Sequence, residues 1–536
     1  MKLTRNGIKD TAAWKAAGIR LPEYDVEAVA AKTRKNPIWV HFGAGNIFRI
    51  FIGGLADKLI AQGEMDRGIT CVETFDFDVV DKIYTPYDNL VLAVTLKADA
   101  TTEKEVYGSL TEAIKAQSSV PEYWNRLKEI FANPGLQMIS FTITEKGYAL
   151  KNAVGDFFPF IQADIDNGPD RAGSAMAVVC ALLAHRFATC KAPLAVVSMD
   201  NCSHNGEKLR GSILTMAQEW EKKGFVSPEF VAYVSDEAQV SFPWSMIDKI
   251  TPRPADSVCE ELAKSGVEDI APVITGKRTY IAPFVNAEGP QYLVIEDRFP
   301  NGRPPLEKAG VYMTDRDTVN MTERMKVTTC LNPLHTAMSV NGCLLGYTRI
   351  CEEMKDEDIV RLIRRLGYVE GLPVVVDPKI MSPKAFIDEV VEQRLPNPFM
   401  PDDPRRICTD TSQKVGIRFG ETIKSYIAEG RDLNSLVAIP LAIAGWMRYL
   451  LAVDDNLEPM EVSADPMKDE LQAQLAGIEA GKPETYKGQL RPILANANIF
   501  GSDLCAVGLA DKIEAIFFEE LAGKGAVRAT LRKYLA

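Results

Sequence analysis

The sequence predicts an α/β protein, with a Rossmann-type, doubly wound N-terminal domain followed by a mainly α-helical C-terminal domain. Three observations carry that expectation. In the first half, short β-branched and apolar runs alternate with helix-length amphipathic segments. A glycine turn, Gly43-Ala44-Gly45, joins the first strong run to the first strong helix. Beyond Asn301 β-type runs become rare. A chain of 536 residues has room for two domains; the expected division is 1–315 for the Rossmann-type domain and 316–536 for the mainly helical one.

Residues 37–46 read as a buried strand entering the glycine turn, and 47–62 continue with apolar residues at helical spacing. Residues 68–73 follow at the distance a βαβ unit requires. The runs at 89–95, 137–144 and 192–198 are expected to extend the doubly wound sheet, the last delivering Asp200 and Asn201 to its carboxyl edge, where such sheets bind ligands. After a loop at 301–305 and a short strand at 310–314 come amphipathic segments at 321–353, 356–366, 383–393 and 417–428. Residues 436–453 are apolar enough for a core helix, with Pro440 tolerable only near its first turn. Residues 454–488 are acidic and polar and are expected to form a solvated helical excursion.

Hydrophobic residues make up 46% and charged residues 25%, the balance of a soluble globular protein. A net charge of −12 repels phosphate backbones and anionic lipid, so neither nucleic acid nor a membrane is expected as a partner. Ten cysteines without a Cys-x-x-Cys pair lack zinc-ribbon and redox-pair spacing and read as free thiols. Residues 1–24 hold no signal-like apolar run, and the longest apolar run, 175–184, is about half a membrane span. A cytoplasmic location is expected. The four histidines form no ligand pair at helical spacing, so no metal is expected.

Gly43, Ala44, Gly45 and Asn46 sit where a strand meets a helix, a turn at which a pyrophosphate can approach backbone and helix N-terminus; the plain alternative is a turn that needs glycine dihedrals. Glu73, Asp76 and Asp78 follow the second strand, where an acid takes the ribose 2′-hydroxyl; no arginine lies in 73–80, which favours NAD over NADP. Arg49 has two readings, a phosphate contact or a surface ion pair. A second constellation is Glu323, Lys326, Asn332 and His335, on an otherwise apolar segment. A lysine buried there exchanges a proton near neutral pH, an amide and an imidazole one turn apart bind a carbonyl or hydroxyl, and Glu323 relays the proton. The plain alternative is a surface Glu-x-x-Lys pair and a satisfied core histidine.

With these residues the sequence resembles the polyol-specific long-chain dehydrogenases, the mannitol dehydrogenase family, over nearly its whole length. The resemblance rests on Phe42 to Arg49, Thr144-Glu-Lys-Gly-Tyr148, Asp200-Asn201 with Asn205-Gly206, the block from Phe242 to Pro252, Val294 to Asp297, Lys326 with Asn332 and His335, and Arg406 with Lys414. It implies a metal-independent hydride transfer between NAD and a secondary alcohol of a sugar acid or polyol. It further implies Lys326 as general acid/base, Asn201 and Asn332 as the amides polarising the carbonyl oxygen, and His335 as a substrate holder. Glu323 and Asp248 would flank the proton path, and Arg406 and Lys414 would line the substrate pocket. A buried arginine suits a carboxylate, whereas the alternative for both cations is a structural ion pair. Asn332 lies six positions after Lys326, one more than in the family, a difference that a bulge or shifted helix start would absorb. The expected reaction is D-fructuronate with NADH to D-mannonate. Tagaturonate or polyol turnover and a non-catalytic dinucleotide sensor are the alternatives.

Overall fold

The computed structural model describes residues 1–536. They form two compact units, Met1–Leu96 with Thr101–Asn320, and Lys97–Ala100 with Met321–Ala536.

The first unit is built on a six-stranded sheet, parallel in every pair. Its order is Leu110–Lys115, Ile69–Glu73, Trp39–Phe42, Met138–Phe141, Leu194–Ser198 and Val240–Ser241. The four inner strands are buried along their whole length, as strands covered on both faces must be. One apolar core gathers Leu127, Phe131, Val179, Leu183 and Trp220 around Val40, Phe42, Ile139 and Val196. The other gathers Phe48, Phe51, Leu55 and Leu59 with Trp39, Cys71, Met138 and Val197. Trp39–Phe42 has the next strand of the chain, Ile69–Glu73, on one side and the later Met138–Phe141 on the other. The order therefore reverses at its carboxyl end, the switch point where open α/β sheets take ligands.

The run at 89–95 does not join this sheet. Val91–Leu96 pairs antiparallel with Thr102–Tyr107 and parallel with Phe284–Glu288 in a separate four-stranded sheet completed by Ile19–Arg20. The reason lies in the connection: the few residues between Leu96 and Thr102 close a hairpin, whereas a parallel crossover needs about a dozen. A third sheet pairs Ser245–Asp248 with Tyr292–Glu296, which pairs in turn with Tyr312–Thr314.

The second unit is helical. Asn332–Leu344, Ala438–Tyr449 and Ala510–Glu520 pack together at its centre, and Ala438–Tyr449 is buried throughout, with Pro440 in its first turn. Two expectations fail. Residues 321–353 are not one helix: Arg316–Met325 runs into a π turn, Lys326–Cys330, the chain breaks at Leu331, and a new helix starts at Asn332 with Pro333 in its first turn. Proline has no N–H for a preceding helical ladder and belongs at a start. Residues 454–488 are mostly loop, with one helix, Lys468–Gln474, and one short turn, Pro483–Thr485. Leu471 is the single buried residue of that helix, too little apolar surface to hold a longer one. No helix is long and apolar enough to cross a membrane.

Candidate functional site

At the switch point Gly43 has φ +107°, and a Cβ there would lie 2.3 Å from the Thr142 carbonyl oxygen. Gly45 is exposed, and a Cβ on it would meet nothing within 4 Å. The first glycine is needed by the protein; the second leaves a cradle open in front of the helix. That helix starts at Asn46, and the Arg49 N–H donates to the Gly45 carbonyl at 3.1 Å. The first-turn N–H groups have no acceptor inside the helix, which makes this end an anion site. Where a third glycine is usual, Phe48 is fully buried and stacks on the His41 ring, 4.1 Å between centroids. His41 contacts the hydroxyls of Ser140 at 2.7 Å and Thr142 at 2.8 Å, and burial holds its pKa well below the usual value, so it is a neutral strut.

Glu73 ends the adjacent strand and is buried against this turn. One carboxylate oxygen accepts the Ala44 N–H at 2.9 Å; the other accepts those of Thr74, Phe75 and Asp76 at 3.0, 2.7 and 3.1 Å. Asp76, expected as an alternative ribose acceptor, has another task. Its Oδ2 accepts the hydroxyls of Thr275 and Thr279, each at 2.6 Å, and so fastens the hairpin of Val273–Ile274 and Tyr280–Ile281. Asp78 holds the same hairpin through the Gly276 N–H at 3.0 Å. Arg49 reaches neither phosphate nor acid: it is buried and donates to the carbonyls of Ala282 at 2.8 Å and Pro283 at 2.6 Å, and burial lowers its pKa to about 10. The open cradle, the helix start and Glu73 together fit a dinucleotide.

At the carboxyl edge of Leu194–Ser198, the Asp200 carboxylate accepts the N–H groups of Ile143 and Thr144, each at 2.9 Å, and the Tyr148 hydroxyl at 2.5 Å. Burial raises its pKa. Asn201 follows in an exposed position. The fully buried Asn205 donates to the Asp200 and Ser245 carbonyls at 3.0 Å and accepts the Ser245 N–H at 3.0 Å. It thereby clamps the turn bearing Asn201 to the strand that ends in the buried Asp248. In the sequence Asn205 stood only as part of a matching block; its positioning role depends on a partner forty residues away.

In the helical unit Lys326 is buried at the head of the π turn, its carbonyl accepting the Leu331 N–H at 3.1 Å. This wider turn leads from Lys326 to the helix that starts at Asn332. Asn332 and His335, three apart, share a helix face and are part-exposed, and Glu323, also part-exposed, lies one turn before the lysine. Burial presses the His335 pKa down; Asp402 opposes this, while Arg394, Arg418 and Arg406 reinforce it, leaving a neutral imidazole. Arg406 is not the buried fork expected of it: its side chain is 67% exposed and pairs with Asp402. Lys414 is part-buried, donates to the Thr409 carbonyl, and has its pKa lowered by burial and by Arg418. Arg418, which sequence reasoning missed, donates to the Thr336 hydroxyl, and burial lowers its pKa to about 10. The signal was its place one turn after Lys414.

One unit is shaped for a dinucleotide and the other for proton exchange at an oxygen, the division of labour of a dinucleotide-dependent dehydrogenase. Residues 37–308 match the mannitol dehydrogenase Rossmann domain and residues 318–515 the mannitol dehydrogenase C-terminal domain. The chain belongs to the mannitol dehydrogenase family. A D-mannonate oxidoreductase of Thermotoga maritima is 50% identical over 537 residues, 99% of each chain. A mannitol 2-dehydrogenase of Phaeosphaeria nodorum is 30% identical over 85% of this chain and 75% of its own. Among solved structures, Pseudomonas fluorescens mannitol 2-dehydrogenase in ternary complex with NAD and D-mannitol is 27% identical, with a TM-score of 0.69 and 100% and 99% of the two chains covered. A substrate-free D-sorbitol dehydrogenase is 25% identical, with a TM-score of 0.78 over 95% of this chain and 98% of its own.

Proposed function

We propose that the protein is an NAD-dependent, metal-independent oxidoreductase that interconverts D-fructuronate and D-mannonate. The observation that carries the chemistry is Lys326, buried on a π turn that leads directly to Asn332 and His335. The substrate rests on the 50% identical D-mannonate oxidoreductase, and NAD on Glu73 beside the open glycine turn.

In this reading the turn of Gly43, Ala44, Gly45 and Asn46 receives the pyrophosphate on the N–H groups of Gly45 and Asn46, those of Gly43 and Ala44 being held by the Val72 carbonyl and Glu73, and Glu73 accepts a ribose hydroxyl. Bound NADH supplies the hydride. Lys326 donates a proton from Nζ to the ketone oxygen and recovers it when the alcohol is oxidised. Asn332 and Asn201 donate amide hydrogen bonds to the same oxygen and stabilise the charge that develops there. Neutral His335 both donates to and accepts from substrate hydroxyls, while Glu323 and Asp248 serve the proton path. The partner is a small sugar acid in the cytoplasm, with no nucleic acid or membrane involved, in line with the net charge of −12 and ten free cysteines.

The test follows NADH absorbance with D-fructuronate, D-tagaturonate and D-fructose in parallel, repeated with NADPH and after exhaustive chelation. Rapid oxidation of NADH by D-fructuronate that survives chelation is the expected result. The mannitol 2-dehydrogenase relatives support a second reading, polyol turnover, which preference for D-fructose would establish. Cofactor binding without turnover of any sugar would mean a sensor.

A further inference from the structure

Beside His335 the helical unit holds two cations that no carboxylate neutralises. Arg418 is part-buried; its hydrogen bond goes to the Thr336 hydroxyl, on the residue next to His335, and it enters no ion pair. Lys414, one helical turn earlier, is also part-buried; its ammonium donates to the Thr409 carbonyl, and Asp410 and Asp465 act on it only from beyond ion-pair distance. The guanidinium is close enough to act on its neighbours: Arg418 lowers the pKa of Lys414, and it bears on His335 as well. Two like charges partly withdrawn from water cost free energy until an anion joins them. Arg406, by contrast, already has Asp402 and stands largely in solvent.

We propose that Arg418, together with Lys414, is the carboxylate clamp that selects a sugar acid over a neutral polyol, in place of the exposed Arg406. The guanidinium offers a planar pair of N–H donors that matches two carboxylate oxygens, and Lys414 adds a point charge on the same wall. Thr336 holds the fork beside His335, so an acid group bound there belongs to the substrate that His335 contacts. The assignment rests on the reaction proposed above.

Arg418→Met and Arg418→Lys test it with D-fructuronate at saturating NADH, and with D-mannonate titrated calorimetrically against the NAD-loaded protein. In Arg418→Met, KM for D-fructuronate and Kd for D-mannonate are expected to rise on the order of 10²-fold, with kcat within about fivefold, the pattern of lost uniform binding. Arg418→Lys recovers part of the loss, because it keeps the charge without the fork. The kcat/KM for neutral D-fructose is expected to fall less than that for D-fructuronate, and an equal fall in both overturns selection by charge. An Arg418→Met protein whose KM and Kd stay within about threefold overturns the clamp and leaves the reaction standing. A wild type inactive on D-fructuronate overturns the reaction itself, so the two failures are read apart. If Arg418→Met does not fold, Lys414→Met and Arg418→Lys carry the test, and unchanged D-mannonate affinity in both overturns the clamp.

Discussion

At the scale of single residues, the site is legible in the sequence where it is local and illegible where it depends on a distant partner. Lys326, Asn332 and His335 lie within one short segment, so their proximity is read from the sequence, while the roles proposed for them come from the family resemblance. The ion pair that occupies Arg406, the threonines that occupy Asp76 and the carbonyls that occupy Arg49 come from other parts of the fold. For Lys326→Ala the expected loss in kcat is about 10²–10⁴-fold, and for Asn332→Ala about 10²–10³-fold, each with NADH affinity unchanged; steady-state kinetics with a cofactor titration checks both. A second residue of note is Glu520, fully buried beside Arg448 with neither carboxylate oxygen hydrogen-bonded, its pKa raised by burial to about 8. Because the folded pKa is above the unfolded one, its contribution is present in full below the unfolded pKa and is lost as pH rises through about 8. Glu520→Gln is therefore expected to melt higher than wild type at pH 9 and to narrow the gap at pH 6, as thermal unfolding at the two values will show.

At the scale of elements, strand and helix runs are legible because burial on two faces or one writes itself into hydropathy, but pairing is not. Val91–Leu96 reads as a strand from its residues; that it builds a second sheet follows from the short connection to Thr102–Tyr107. The break at Leu331 is signalled by Pro333, whereas the π turn that precedes it has no residue signature. The loops after strand Ile69–Glu73 show the same limit: three acids look alike until the hairpin at 273–281 arrives to claim two of them. Asp76→Ala is accordingly expected to cost about 1–3 kcal/mol of stability, since it strands the hydroxyls of the buried Thr275 and the part-buried Thr279, while the Kd for NADH shifts less than about threefold. Glu73→Ala should weaken NADH at least tenfold, on the order of a lost hydrogen bond to a charged group. Chemical denaturation and fluorescence titration of the two variants separate the tasks, and the reverse ranking of cofactor affinity would return the ribose to Asp76.

At the scale of the whole molecule, each unit has its own core and its own share of the chemistry, and this division makes a prediction that no single substitution tests. The dinucleotide features, Gly43 to Asn46 and Glu73, lie in Met1–Leu96. Lys326, Asn332, His335, Lys414 and Arg418 lie in Met321–Ala536. A ligand stabilises the folded groups it contacts and slows their opening in proportion to its saturation. Amide hydrogen exchange should therefore respond to the two ligands in different places. Saturating NAD is expected to protect the turn at 43–48 and the segment 73–76, whose N–H groups already converge on Glu73. D-mannonate added to the NAD-loaded protein is expected to add protection at 326–336 and 411–420, where the π turns of Lys326–Cys330 and Gly416–Gly420 carry or adjoin the side chains proposed to exchange the proton and bind the carboxylate. Neutral D-mannitol at the same concentration should protect the first of these segments more than the second, because only the acid engages Lys414 and Arg418. Equal protection of 411–420 by mannonate and mannitol would mean that this wall reads hydroxyl groups rather than charge.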